Sequence, residues 1–428
     1  MKRINIYGGV NLSVISTDKF KTNFISVNII SPLLKETASK NSLLTDVLKR
    51  GCKSYPTLRD INIKLDELYA SSISVYVKKK GEVQTISFAA SMLDNLYTID
   101  NTDLMAENLK ILSELIFEPY LENGVFSTTY VESEKKQLID RINEQINNKS
   151  TYAMNRCLEI MCNDETYSVK NSGNIADVEV ITPEILFDHY KKVISDYAVE
   201  ISFVGNMQPE EVAGYINKYL SGFKPRMSAM PLTDVIRKAT PKPEFVEPMP
   251  VVQGKLSLGF RMGTVLTDKE YPAFALLNEL FGGSPSSLLF TNVREKLSLC
   301  YYCSSIPEAH KGVMIVASGI ENENKEQAEK AILEQLETVR NNKFTDEEFE
   351  LAKKSIINAY KEIPDSTAGM YNWYLSRILA GLSSSPLDAA EAITKVTREE
   401  VVASAKKVGH EMTYFLKGTL KKEEQADE

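Results

Sequence analysis

Six prolines between Gly222 and Pro250, at positions 225, 231, 241, 243, 248 and 250, constrain the folding of this chain more than any other feature. Proline fixes φ and has no N–H to give, so this spacing blocks helix and central strand alike, and an extended linker is expected. At 428 residues the chain exceeds what one hydrophobic core usually supports. The linker therefore reads as a divide between residues 1–221 and 251–428, with 222–250 between them.

The two halves run through the same order of patterns. In the first, NFISVNIISP alternates Phe24, Ser26 and Asn28 against Ile25, Val27 and Ile29, which predicts a strand. The helical segments SLLTDVLKRG and LRDINIKLDELYA follow, then the hairpin SISVYVKKKGEVQTISFAAS, turned by Lys-Lys-Gly-Glu. In the second half QGKLSLGFRMG is the strand, YPAFALLNELFGG and SSLLFTNVREKLS are helices, and CYYCSSI with GVMIVASGI forms the hairpin. Long helical stretches come next in both halves, LENGVFSTTYVESEKKQLIDRINEQI in one and TDEEFELAKKSIINAYKEI in the other. Each half closes on a helix and a strand, with Thr182 and Thr397 placed as N-caps and Gly205 and Gly418 after the strand. A repeat of about 200 residues is far too long for a solenoid unit. The expected fold class is α+β, a two-layer α/β arrangement of two tandem homologous domains, each a mostly antiparallel sheet packed with helices on one face.

A net charge of -8 argues against a broad nucleic-acid surface, which needs clustered Lys and Arg. The N-terminal MKRINIYGGVNLSVIS is broken by Gly8, Gly9 and Asn11 and reads as a first strand rather than a secretory core. No run approaches the length of a membrane-spanning helix. Five cysteines, an odd number, suit reduced thiols, so a cytoplasmic location is expected.

Residues 280 to 305, LFGGSPSSLLFTNVREKLSLCYYCSS, resemble the second-domain signature of the insulinase or pitrilysin-like zinc peptidases. DELYASSISVYV, VESEKKQLIDRI and AVEISFVGN add to the likeness, which covers nearly the whole chain; TDKFKTN, VESEKK and NNKSTYAMNR are closest to the bacterial branch without the zinc motif. Active members of that family carry His-x-x-Glu-His on the first helix. Residues four apart share a helix face, so the two imidazoles grip one zinc while the Glu activates its water. By this resemblance Ser42, Thr45 and Asp46 stand where His, Glu and His should. The only histidines are His189, His310 and His410, too far apart to form the motif elsewhere. The family's third ligand corresponds to Glu134, with Glu132 as the alternative. A lone carboxylate cannot hold zinc against water, so neither metal nor cofactor is expected. The resemblance also implies that Arg294 and Tyr301 reach across a central chamber to the backbone of a bound peptide, an Arg and a phenol both being donors to carbonyl oxygen.

Competing motifs are weaker. Cys300 and Cys303 form a Cys-x-x-Cys, but residues three apart on a strand point to opposite faces, which favours buried structural thiols. Cys157 and Cys162 read as core residues of a helix. LFGGSPSS lacks the Gly-Lys-Ser/Thr of a phosphate loop, and Ser284, Ser286 and Ser287 have no Gly-x-Ser-x-Gly elbow. The expected function is that of a catalytically inactive peptidase homologue that helps form a peptide-binding chamber. Its expected partners are a peptide or unfolded segment and, in a hetero- or homodimer, a subunit of the same family, with the zinc-bearing enzyme foremost. A metallopeptidase with non-standard ligands and a stand-alone peptide-binding scaffold are the alternatives.

Overall fold

The computed structural model describes residues 1–224, 226 and 229–420. Pro225 of the expected linker and the final residues 421–428 lie outside the described residues. The strands are β1 (Lys2–Tyr7), β2 (Val10–Ser16), β3 (Thr22–Pro32), β4 (Ser72–Lys80), β5 (Val83–Leu93), the short pair β6 (Leu121–Glu122) and β7 (Val125–Phe126), β8 (Ala198–Gly205), β9 (Phe245–Met249), β10 (Gly254–Arg261), β11 (Cys300–Glu308), β12 (Val313–Ile320) and β13 (Gly409–Gly418). The helices that bear on function are α1 (Lys35–Leu48), α2 (Leu58–Glu67), α3 (Leu104–Phe117), α4 (Thr128–Glu144), α5 (Lys149–Met161), α6 (Ile175–Glu179), α7 (Pro183–Asp196), α8 (Pro209–Tyr219), α9 (Tyr271–Asn278), α10 (Lys325–Arg340), α11 (Asp346–Glu362) and α12 (Thr367–Leu379).

Two compact units form, and neither is one continuous stretch. The first comprises 1–143, 169–232 and 364–379; the second comprises 144–168, 233–363 and 380–428. This division differs from contiguous halves at 1–221 and 251–428: the main cut falls between Leu232 and Thr233, inside the proline-rich segment, and two helical segments change sides. The physical reason lies in the sheets, each of which has a second face that the helices of its own half leave uncovered.

In the first unit a six-stranded sheet runs β1-β2-β8-β3-β5-β4, antiparallel except for the β2/β8 pair. One face, with Val27, Ile29, Phe88 and Ile201, packs on Leu44 and Leu48 of α1 and on Leu109 and Leu112 of α3. The alternation expected of β3 holds, but its polar row is not a solvent row. Ser26 and Asn28 are fully buried beneath α12, whose Tyr371 hydroxyl donates to Asn28 at 2.7 Å. In the second unit β11-β12-β10-β13-β9 form the sheet, antiparallel except for β9 against β13. Here β9 takes up part of the expected linker; Pro248 sits in it because an edge strand leaves one row of N–H groups unused. Leu258, Phe260 and Val316 face Phe274, Leu277 and Leu336, and the opposite face, with Ile315, Met412 and Leu416, is covered by Cys157 and Met161 of α5. Gly259 permits that approach, since a Cβ there would lie 2.5 Å from the Met161 sulfur. The fold class is thus the α+β, two-sheet arrangement expected, with one helix added on the second face of each sheet.

Candidate functional site

Helix α1 is buried along most of its length because it lies flat on the first sheet, and Ser42, Thr45 and Asp46 are all buried. Thr45 turns its hydroxyl back along the helix and donates to the Ser42 carbonyl at 2.8 Å. Asp46 is held by Lys49 at 2.8 Å and by a short contact from Arg141 of α4. Glu134, also on α4, is 1% exposed and accepts from Arg50 at 3.1 Å and from Gln137 at 3.0 Å, while its second carboxylate oxygen has no partner. Arg50 in turn lies over the Tyr130 ring at 4.8 Å. Burial pushes the Glu134 carboxyl above its ordinary range and Asp46 adds to this, against Lys49, Arg50 and Arg141, which pull it down.

Asp46 and Glu134 lie near the same three cations, with Ser42 and Thr45 beside Asp46 on α1, and the chemistry of these four residues does not fit zinc. A hydroxyl at Ser42 and a carboxylate at Asp46 replace the two imidazole donors, and a hydroxyl at Thr45 replaces the carboxylate that would activate water. Three side-chain cations stand where a divalent ion would neutralise the carboxylates. Among the described residues there is no group of three or more His, Cys, Asp or Glu arranged to hold a metal. Lys49, Arg50 and Arg141 were not singled out from sequence. The first two look like ordinary bases at a helix end, and Arg141 is distant along the chain.

Arg294 and Tyr301 belong to the second unit. The segment expected as the helix SSLLFTNVREKLS is wound with the wider π-helical turn over Leu289–Lys296, and another such turn covers Glu279–Gly283. Gly282 lets these turns pass close to β11, because a Cβ there would meet the Ser305 backbone nitrogen at 2.8 Å. Arg294 projects from the second turn. Its Nε donates to the Tyr301 carbonyl at 3.1 Å, and its guanidinium stacks on Phe290 at 4.5 Å. Glu295 is 3.8 Å away, an open pairing with both side chains well exposed. Tyr301 is 50% exposed, and its hydroxyl donates to Glu321 in a short contact. The strand ladder slips at Tyr301, between Cys300 opposite Ile320 and Tyr302 opposite Gly319. That bulge overturns the expectation for the cysteines. Cys303 enters the helix-side core and Cys300 packs on the same cluster, so the two thiols share a face.

Residues 181–356 match the family model described as the peptidase M16 inactive domain. The chain is 35% identical over 413 residues to the probable inactive metalloprotease YmfF of Bacillus subtilis (strain 168), covering 96% of this chain and 97% of that one. A conserved protein from Enterococcus faecalis V583 superposes with a TM-score of 0.89 at 28% identity, over 98% of each chain. A peptidase M16 inactive domain from Pseudomonas fluorescens shares the fold, with a TM-score of 0.78 at 16% identity over 96% of this chain and 97% of the other.

Proposed function

This chain belongs to the M16 peptidase family as an inactive homologue, and from that premise we propose that it is a non-catalytic peptide-holding subunit working beside a zinc-bearing member of the same family. One contrast carries the reading: of the metal positions, Asp46 is paired with Lys49 and Arg141 and Glu134 with Arg50, while Arg294 and Tyr301 remain at the surface, joined to each other. A family member kept only as a fold needs no exposed guanidinium fastened beside an exposed phenol. Arg presents a rigid fork of donors and Tyr one rotatable O–H, which suits the carbonyls of an extended peptide whatever its side chains. The peptide-binding chamber, the dimer with a family subunit and the cytoplasmic location belong to this proposal. No helix among the described residues is long and apolar enough to cross a membrane.

Fluorescence anisotropy with a pool of labelled unstructured peptides tests the reading. Replacing Arg294 and Tyr301 together by Ala weakens capture several-fold and leaves the melting temperature unchanged; a double variant that binds as before, or that merely unfolds, overturns it. Co-purification from the native organism, with mass-spectrometric identification of the bound protein, recovers a chain bearing His-x-x-Glu-His. Recovery of the chain alone favours the stand-alone binder. Elemental analysis of the purified chain gives far less than one zinc per chain.

A further inference from the structure

The bulge in β11 gathers a pair of thiols that the proposed function leaves unused. Plain alternation would part residues three apart on a strand, but the extra residue Tyr301 shifts the pleat, and Cys300 and Cys303 come to the same side. Tyr302, between the two cysteines in the chain, faces α5 instead. The two thiols are near enough to act on each other's protonation. Ser318, opposite Cys303 in the ladder, has a buried hydroxyl with no oxygen or nitrogen partner and faces both sulfurs. Cys52, Cys157, Cys162 and Cys303 are buried; Cys300 is the one cysteine of the five that reaches partway to solvent.

We propose that Cys300 and Cys303 are a peroxide-oxidisable dithiol that closes to a disulfide across the Tyr301 bulge, with Cys300 reacting first and Cys303 resolving. The surroundings sort the roles. The neighbouring Cys303 thiol holds Cys300 below the usual thiol range, helped by Ser318 and by the nearby Arg294 charge and opposed by burial. Cys303 is pushed well above its usual range by Cys300 and by burial. Burial pushes Cys52 and Cys162 up to about 12 and Cys157 up as well, which leaves them inert.

In the first step the Cys300 thiolate attacks one oxygen of a hydroperoxide and the O–O bond breaks. With hydrogen peroxide, the departing hydroxide takes up the proton that Cys300 released, leaving water and a Cys300 sulfenic acid. In the second step the Cys303 sulfur attacks the Cys300 sulfur and the S–O bond breaks. The hydroxyl leaves with the Cys303 proton as a second water, and the S–S bond forms. Two thiols are oxidised, one peroxide is reduced, and two waters result. None of this rests on the peptide-holding reading.

The full chain, reduced and desalted, is exposed to a small excess of hydrogen peroxide, then alkylated under denaturing conditions and mapped by mass spectrometry. Two of the five thiols become unavailable. Both lie in the peptide that carries Cys300 and Cys303, and both return on reduction. In Cys303→Ala the reaction stops at a Cys300 sulfenic acid that a cyclic dione traps, and in Cys300→Ala the Cys303 thiol survives the same dose. Retention of all five thiols in the unaltered chain overturns the proposal, as does over-oxidation of Cys300 with no internal disulfide, and neither result depends on a variant folding.

Discussion

Glu134 carries a charge with nothing catalytic to do, so what it costs is the question its surroundings raise. Its carboxylate is buried and its pKa is raised, first by burial, so the ionised form is held in the native state at some expense. The sign follows directly. A carboxyl whose folded pKa lies above its unfolded one supports the fold below the unfolded pKa and loses that support as pH rises through the folded value. Glu134→Gln is therefore neutral or stabilising near pH 7.5 by thermal melts, and the advantage fades toward pH 4. Arg50→Ala removes the direct cation and costs roughly 2 kcal/mol, below the range for fully buried pairs because Arg50 keeps some water contact. Adding Glu134→Gln to Arg50→Ala recovers most of the loss. A double variant no better than Arg50→Ala would show that Arg50 acts through packing on Tyr130 instead. Ser42, Thr45 and Asp46 were legible as a lost metal site because the family resemblance sets them at the motif positions and none is the residue the motif needs. Arg141 was not legible, since only the docking of α4 beside α1 brings it to Asp46.

The segment that follows α4 shows how an element can be legible in type but not in place. Helix α5 has an amphipathic pattern that predicts a buried face, yet periodicity does not say which sheet receives it. What fixes it on the second sheet includes charge as well as the fit at Gly259. Glu165, just beyond α5, bonds Arg261 at 3.1 Å and Lys311 at 2.7 Å, and Arg261 also bonds Glu411 at 2.9 Å, all four being nearly inaccessible to water. Burial disfavours the ionised Glu165, but Arg261 and Lys311 outweigh it and hold its pKa at about 2, below the ordinary 4.5. A depressed carboxyl pKa gives stability that is complete above the unfolded value and drains away as pH falls through the folded one. A shift of this size corresponds to about 3 kcal/mol at pH 7. Glu165→Gln is expected to lose about that much in urea melts at pH 7, with the gap narrowing between about pH 4.5 and pH 2. An equal loss at both ends of that range would mean that shape, not charge, holds the segment. The π-helical turns around Gly282 were read as plain helix for a similar reason, because their apolar spacing satisfies a helix while the wider winding answers to the strand beside them.

At the scale of the whole chain, the order of elements in each half could be read from the sequence, and the exchange of one helix in each direction could not. The proline segment marks where the backbone passes between the main bodies, but a linker's position says nothing about which sheet a distant helix covers. The exchange has a consequence for fragments. A piece holding only 233–428 lacks 144–168, so the face built from Val313, Ile315, Ala317, Met412 and Leu416 loses its cover, and Arg261 and Lys311 lose Glu165. Exposed apolar surface of that kind drives aggregation rather than folding. A piece holding only 1–232 lacks α12 and leaves Ser26, Asn28 and Ile30 beneath no partner. Expressed alone, 233–428 is expected to be insoluble or to melt without cooperativity while binding a hydrophobic dye. Fused through a flexible linker to 144–168, the same piece is expected to give a soluble protein with a single thermal transition. The comparison is decisive because both proteins contain every strand of the second sheet, so a lone fragment melting as sharply and at the same temperature as the fusion would show that α5 is an accessory to that unit and not part of its core.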